Sequence, residues 1–238
     1  MTAKSLLPFL LVLFLFSCNS EEIGNSKDVA PDTIYTSYTM AYSEGESLVN
    51  CTAQFRFAGP LGTTLVLNKP SKVQIDAQTI PLDSSSSRGA FYELNKAMAN
   101  FSGSHTWSFT DIAGKTYEEP FVFEPVTLAS ELPATIKTAD LLLKFNGVND
   151  NDSMSVTVID TTKPDADNEQ KYSVNNGTVL LPATLFKNLK PGTLKLYCYL
   201  IRKKALQNCP KEGGLISEIH YLKERTLTLE RVETDEFK

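Results

Sequence analysis

Four cysteines and two histidines have the most distinctive chemistry in this chain: Cys18, Cys51, Cys198, Cys209, His105 and His220. A cysteine nucleophile needs a neighbouring base to take its proton. Neither histidine stands in a motif that would bring one to a thiol, so thiol catalysis is not expected. The chain has no Gly-x-Ser-x-Gly elbow, His-Glu-x-x-His pair, phosphate loop or Gly-x-Gly-x-x-Gly turn, and with them go the local signatures of serine hydrolysis, zinc proteolysis and nucleotide binding. Paired carboxylates leave no such signature, so a glycoside hydrolase-like enzyme stays open as an alternative. Two acidic stretches, Asn149-Asp150-Asn151-Asp152 and Asp165-Ala166-Asp167-Asn168-Glu169, could offer oxygen ligands to calcium. Neither has EF-hand spacing, and Asx side chains make turns by bonding their own backbone. Turns are therefore their expected role, and no metal or other cofactor is expected.

Aromatic residues are the remaining candidates for ligand contact. The single tryptophan, Trp107, shares strand parity with Phe109 and is expected to fill a core. Tyr38, Met40 and Tyr42 share parity with Ile34, which leaves Tyr35, Tyr197 and Tyr199 pointing outward. Tyr197 and Tyr199 sit two apart on one strand face, where they could stack on a ligand or pack against a neighbouring sheet.

The elements that must position these residues are strands. Hydrophobic residues make up 42% of the 238 and charged residues 21%, a balance that can fill a core. Cys51, Ala53, Phe55 and Phe57 alternate with Thr52, Gln54 and Arg56, and Val73 and Ile75 alternate with Lys72, Gln74 and Asp76. Later, Leu141, Leu143 and Phe145 share a face, as do Met154, Val156 and Val158, then Leu194, Leu196, Cys198 and Leu200, then Leu227 and Leu229. Turn residues space these runs, and no long helical period interrupts them, so a β-sandwich is the natural reading. Residues 181–186 can make one helical turn before Pro191-Gly192, and the stretch 179–200 resembles the approach to a late strand in immunoglobulin-like and fibronectin-like sandwiches. With 23 basic against 28 acidic residues the net charge is −5, which gives nucleic acid no basic surface to bind.

At the start of the chain, Lys4 precedes an apolar run from Leu6 to Phe16, too short to span a bilayer and suited to a signal peptide. The run ends in Leu15-Phe16-Ser17-Cys18, which resembles the lipobox of bacterial lipoproteins. The resemblance implies that Cys18 is acylated and becomes the first mature residue. The following Asn19-Ser20-Glu21-Glu22 is similar to the export signal of Bacteroidota surface lipoproteins, which implies an outer-membrane, surface-exposed address. In such an oxidising compartment an odd number of remaining thiols implies one pair. Cys198 and Cys209 are the nearest and would close a loop of roughly ten residues; the alternative is that Cys198, like Cys51, is a small buried hydrophobe. Asp32-Thr33-Ile34, Asp152-Ser153-Met154 and Asp160-Thr161-Thr162 are similar to the Bacteroidota acceptor motif for O-glycosylation, with Thr33, Ser153 and Thr161 as the hydroxyl positions.

These features resemble the two-domain immunoglobulin-like lipoproteins of Bacteroidota. The expected organisation is a signal peptide at 1–17, a flexible tether at 18–32, and two tandem immunoglobulin/fibronectin-like β-sandwiches at 33–125 and 126–238. The expected role is a non-enzymatic surface module for binding or structure, membrane-held through its lipid, with a protein or glycan partner. Glycan capture within a polysaccharide-uptake system is the alternative in the same class.

Overall fold

The computed structural model describes residues 22–162 and 169–230. Cys18, the expected signal peptide at 1–17 and Asp165 to Asn168 of the second acidic stretch lie outside the described residues. The strands of the first half are β1 (Ile23–Asn25), β2 (Ile34–Ser43), β3 (Leu48–Phe57), β4 (Thr64–Val66), β5 (Lys72–Ile75), β6 (Gln78–Thr79), β7 (Leu82–Ser85), β8 (Gly89–Ala97), β9 (Gly103–Thr110) and β10 (Thr116–Phe123). Those of the second half are β11 (Thr127–Leu128), β12 (Thr135–Ile136), β13 (Leu141–Asn146), β14 (Ser153–Asp160), β15 (Gln170–Ser173), β16 (Thr178–Leu181), β17 (Gly192–Ala205), β18 (Gly214–Tyr221) and β19 (Arg225–Leu229). One short helix, α1 (Ala183–Lys187), stands where the helical turn before β17 was expected and buries Phe186. The fold is all-β and built of two packed sandwiches, the layering that the alternation implied.

In the first sandwich, the sheet β10-β9-β5-β6 packs on the sheet formed by β8, β3 and β2. The period-2 patterns decide which side chains meet. Tyr38 and Met40 from β2 face Trp107 from β9, with the Tyr38 and Trp107 rings stacked at 4.5 Å and the indole N–H 3.2 Å from the Met40 sulfur. Cys51, Ala53 and Phe55 are fully buried as expected, whereas Phe57, at the end of β3, is 41% exposed. The second sandwich packs β11-β13-β16 on β15-β14-β17-β19, and its core holds the apolar sets read from β13, β14, β17 and β19.

Two expectations about organisation need correction. The first is the flexible tether. Residues 23–25 pair in parallel with Thr64–Val66, Ser26 is fully buried and its Oγ accepts from the Asn68 amide at 2.9 Å. The described part of 18–32 is thus packed onto the first sandwich, because its backbone groups find strand and turn partners there. The second is the division at residue 125. β17 leaves the second sandwich, turns back as β18, and β18 pairs in parallel with β2 along its whole length. Leu206 and Ile216 accordingly lie in the first core. The hairpin 201–221 belongs to the first sandwich, and the large sheets of the two sandwiches are one continuous sheet.

Candidate functional site

The shared sheet presents one outer face across both sandwiches, and the pairing register defines its rows. Tyr199 on β17 lies opposite Tyr221 on β18, which lies beside Ser43 on β2. The next row runs Ile201, Ile219, Ala41, Asn50 and Asn95. Tyr197 and Tyr199 are half-buried on this face, while Ile201 is 42% and Tyr221 48% exposed. Directly opposed residues share a face, so the tyrosines, the isoleucines and the polar side chains of β2 and β3 are neighbours on one surface.

The tyrosines are held by their hydroxyls. Tyr197 donates to Glu224 Oε2 at 2.5 Å, and Lys195 Nζ lies 3.1 Å from the same carboxylate. The hydrogen bond to Glu224 and the charge of that carboxylate push the Tyr197 phenol up, while Tyr197 and Lys195 together hold Glu224 below its ordinary value. Tyr199 donates to Glu169 Oε1 at 2.5 Å and its ring sits 6.2 Å from that of Tyr221. These bonds fix the positions of the two rings on the sheet face. On the first sandwich the same face sinks into a shallow cavity of about 200 Å³ lined by Ser37, Thr39, Asn50, Thr52, Gln54 and Arg88. Its side chains form a ladder: Thr52 donates to Asn50 Oδ1 at 3.0 Å and Asn50 donates to Asn95 Oδ1 at 3.1 Å.

Beneath this face, four carboxylates lock the hairpin in place. Arg202 lies on the inner parity of β17, between the two cores. It donates from Nε and Nη2 to Asp152, at 3.0 and 2.7 Å, from Nη1 to Glu218 at 3.2 Å and from Nη2 to the Gly147 carbonyl at 2.6 Å. Gly147 has φ +71°, and a Cβ there would meet the Pro125 carbonyl oxygen at 2.3 Å, so the crossing of the inter-sandwich connection requires glycine. Burial opposes ionisation of Asp152, but the hydrogen bonds from Arg202 and the Asn149 amide and the Arg202 charge together hold its carboxyl below the usual range. Glu44, just beyond β2, accepts from the Lys223 amide and from Arg225 Nη2, both at 2.9 Å. Glu119 on β10 is buried and takes the amides of Gln207 and Asn208 at 2.8 and 3.1 Å, which pins the hairpin tip.

The residues read from the sequence divide accordingly. Tyr197 and Tyr199 are brought together with Tyr221, which the pattern missed. Of the two alternatives for Cys198, the bridge to Cys209 is absent. Both are free thiols, with Cys198 in the second core and Cys209 against the first. β17 stays extended from Cys198 to Ala205, so seven residues at about 3.3 Å each separate Cys198 from the tip that carries Cys209, far beyond the roughly 7 Å a disulfide spans. Burial pushes the Cys51 and Cys198 thiols up to about 12, which leaves no thiolate near neutrality. Both histidines are structural. His105 bonds Asp76 at 2.8 Å and the Phe101 carbonyl at 3.0 Å, and His220 is fully buried, stacked on Phe123 between the sandwiches. In the first acidic stretch, Asp152 holds Arg202 and accepts from the Asn149 amide at 2.7 Å, closing a turn, while Asp150 accepts from the distant Asn176 amide at 2.7 Å. Among the described residues no three His, Cys, Asp or Glu side chains group as a metal site. Ser153 and Thr161 are exposed; Thr33 is half-buried and donates to the Ala30 carbonyl at 2.7 Å.

No protein-family model matches the sequence, and a search of curated proteins finds no match. Among solved structures, the chain is similar to a Bacteroides ovatus surface glycan-binding protein from a mixed-linkage glucan utilization locus, solved with a heptasaccharide, at 12% identity and a TM-score of 0.25. A 1.5-MDa bacterial ice-binding adhesin matches at 11% identity with a TM-score of 0.26, and the adhesin InvE of Yersinia pseudotuberculosis at 12% with 0.22. The match takes in 84%, 85% and 82% of this chain and 61%, 66% and 58% of those chains, so this chain spans less than two thirds of each. Superpositions this loose leave the fold to be read from the strand pairing itself.

Proposed function

We propose that the chain is a non-catalytic binding module of the bacterial cell surface, held at the outer membrane by a lipid on Cys18, with the shared sheet face as its docking surface. The observation that carries this reading is the patch of half-buried and exposed Tyr197, Tyr199, Tyr221, Ile201 and Ile219 on adjacent rows of one sheet face, beside a cavity lined by hydroxyls, amides and Arg88. A surface of aromatic rings beside hydroxyls, amides and the Arg88 guanidinium suits a glycan chain, which offers apolar sugar faces to rings and hydroxyls to polar side chains. The hairpin supports the reading because it makes the two halves of that surface rigid with respect to one another. A lipid at Cys18 would be four residues, at most about 14 Å, from Glu22. β1 lies beside the end of β2 remote from the second sandwich, so the anchor would seat the first sandwich on the membrane and point the second away.

The hydrolase reading needs two carboxyls about 5 to 10 Å apart in a cleft. The cleft of about 680 Å³ beside β10 has Glu118 as its one lining carboxylate, and the cavity on the sheet face has none; a third cavity, of about 210 Å³, is lined by Glu119 and Glu218, but Glu119 is held by the Gln207 and Asn208 amides and Glu218 by Arg202. Retention on a panel of insoluble polysaccharides tests the proposal. The parent chain is expected to be retained by at least one, and Tyr199→Ala with Tyr221→Ala to lose retention at least about tenfold with unchanged unfolding. Equal retention of parent and variant, or retention by none of the panel, would remove the face as a glycan site.

A further inference from the structure

Two unpaired strand edges flank one groove on the side of the first sandwich. Residues 201–205 of β17 pair only with β18, because pairing with β14 ends at Leu200. β10 pairs with β9 and with no other strand among the described residues. A cavity of about 210 Å³ lies between Glu119–Val122 of β10 and Arg202–Lys204 of β17. The 680 Å³ cleft continues it, between Lys115–Pro120 and Gln207–Cys209. An unpaired edge is a template for a further strand, and a strand laid here would find one on either side.

The groove also selects by charge. Lys115, Lys203 and Lys204 line it, and none is in an ion pair among the described residues. Of the acids beside them, Glu119 is spent on the Gln207 and Asn208 amides and Glu218 on Arg202, leaving Glu118. Val122, 58% exposed, and Phe121 add an apolar wall. The segment that follows β19 is Arg231-Val232-Glu233-Thr234-Asp235-Glu236-Phe237-Lys238, whose centre carries three acids, Glu233, Asp235 and Glu236, to face the lysines, with one base at either end. It does not reach its own groove. β19 runs antiparallel to β17 and places Leu229 opposite Gly192. Lys203 lies eleven positions beyond Gly192, about 36 Å along the strand, whereas the eight residues 231–238 extend at most about 29 Å.

We propose that residues 231–238 of one copy add as a strand to the β10–β17 groove of a second copy, giving head-to-tail association through a heterologous contact. Sedimentation velocity on the chain from Glu22 to Lys238, which keeps every described element, tests this. The parent is expected to associate with concentration. A groove variant, Lys203→Glu with Lys204→Glu, and a tail variant, Glu233→Gln with Asp235→Asn and Glu236→Gln, are each expected to associate at least about tenfold more weakly. Mixed in equal amounts, these two should form a dimer that grows no further, since one supplies the intact tail and the other the intact groove. A parent that stays monomeric up to about 1 mM, a variant that associates as the parent does, or a mixture that forms no dimer would each overturn the proposal.

Discussion

The two halves of β17 are one strand with two chemistries. From Gly192 to Leu200 the inner face is Leu194, Leu196, Cys198 and Leu200, all in the second core. From Ile201 to Ala205 the inner positions are Arg202 and Lys204, and the strand is held by an ion-pair network and by β18. The difference teaches that a strand needs an apolar face only where it covers a core. Where it crosses from one core to the next, a paired charge can close the gap, at the cost of desolvating every partner.

Removing Arg202 breaks that arrangement most severely. Arg202→Ala leaves Asp152 and Glu218 facing each other in a largely buried junction, 9% and 17% exposed as side chains. Its expected cost is about 3 to 5 kcal/mol. Urea unfolding followed by Trp107 fluorescence, which reports only the first sandwich, and by circular dichroism, which reports both, should show a lowered midpoint. The two probes should also separate in the variant, because the clasp between the sandwiches is lost. A midpoint within about 0.5 kcal/mol of the parent would mean the network contributes nothing to the joint.

The hairpin tip gives a smaller effect. Glu119→Ala strands the amides of Gln207 and Asn208 against the first core, at an expected cost of about 1 to 3 kcal/mol. Amide exchange should rise across 206–213 and remain unchanged in β14. Glu119→Gln retains an acceptor oxygen and should lose less; equal losses would assign the effect to volume rather than to the amide bonds.

The same contrast explains what was legible in the sequence. Trp107, the first half of β17 and the helical turn before it could be read because each puts alternating or clustered apolar residues against one core. β18 could not. Its inner face is Ile216, Glu218 and His220, and its outer face includes Ile219 and Tyr221, so polarity does not mark which side is covered. The Cys198–Cys209 pairing failed for a related reason. Spacing of eleven residues implies proximity in a tight loop, but this segment is a long extended hairpin, and only its partner β2, more than 150 residues earlier, makes it so. Tyr221 went unread as a companion of Tyr199 because cross-strand adjacency is set by that hairpin's register. The tether expected at 18–32 was polar by composition, yet backbone bonds hold its described part, from residue 22, on β4.

Acid should act on the two halves of β17 unequally. Asp152 is held below its unfolded value of about 4 with Arg202 as its partner. Its contribution is therefore whole above the ordinary carboxylate range and declines as pH falls through the lower folded-state value. Asp160 and Glu224 are depressed as well, by the Thr162 amide and by the Tyr197 hydroxyl in the first place, so acid loss in the parent chain is a sum. The difference between parent and Arg202→Ala isolates the junction. Without Arg202, ionised Asp152 has lost its cation, its carboxyl is no longer held down, and the urea midpoint should fall less steeply from pH 6 to pH 3 than in the parent. Parallel slopes would show that Arg202 is not what keeps Asp152 ionised, and would leave the charged half of β17 held by β18 alone.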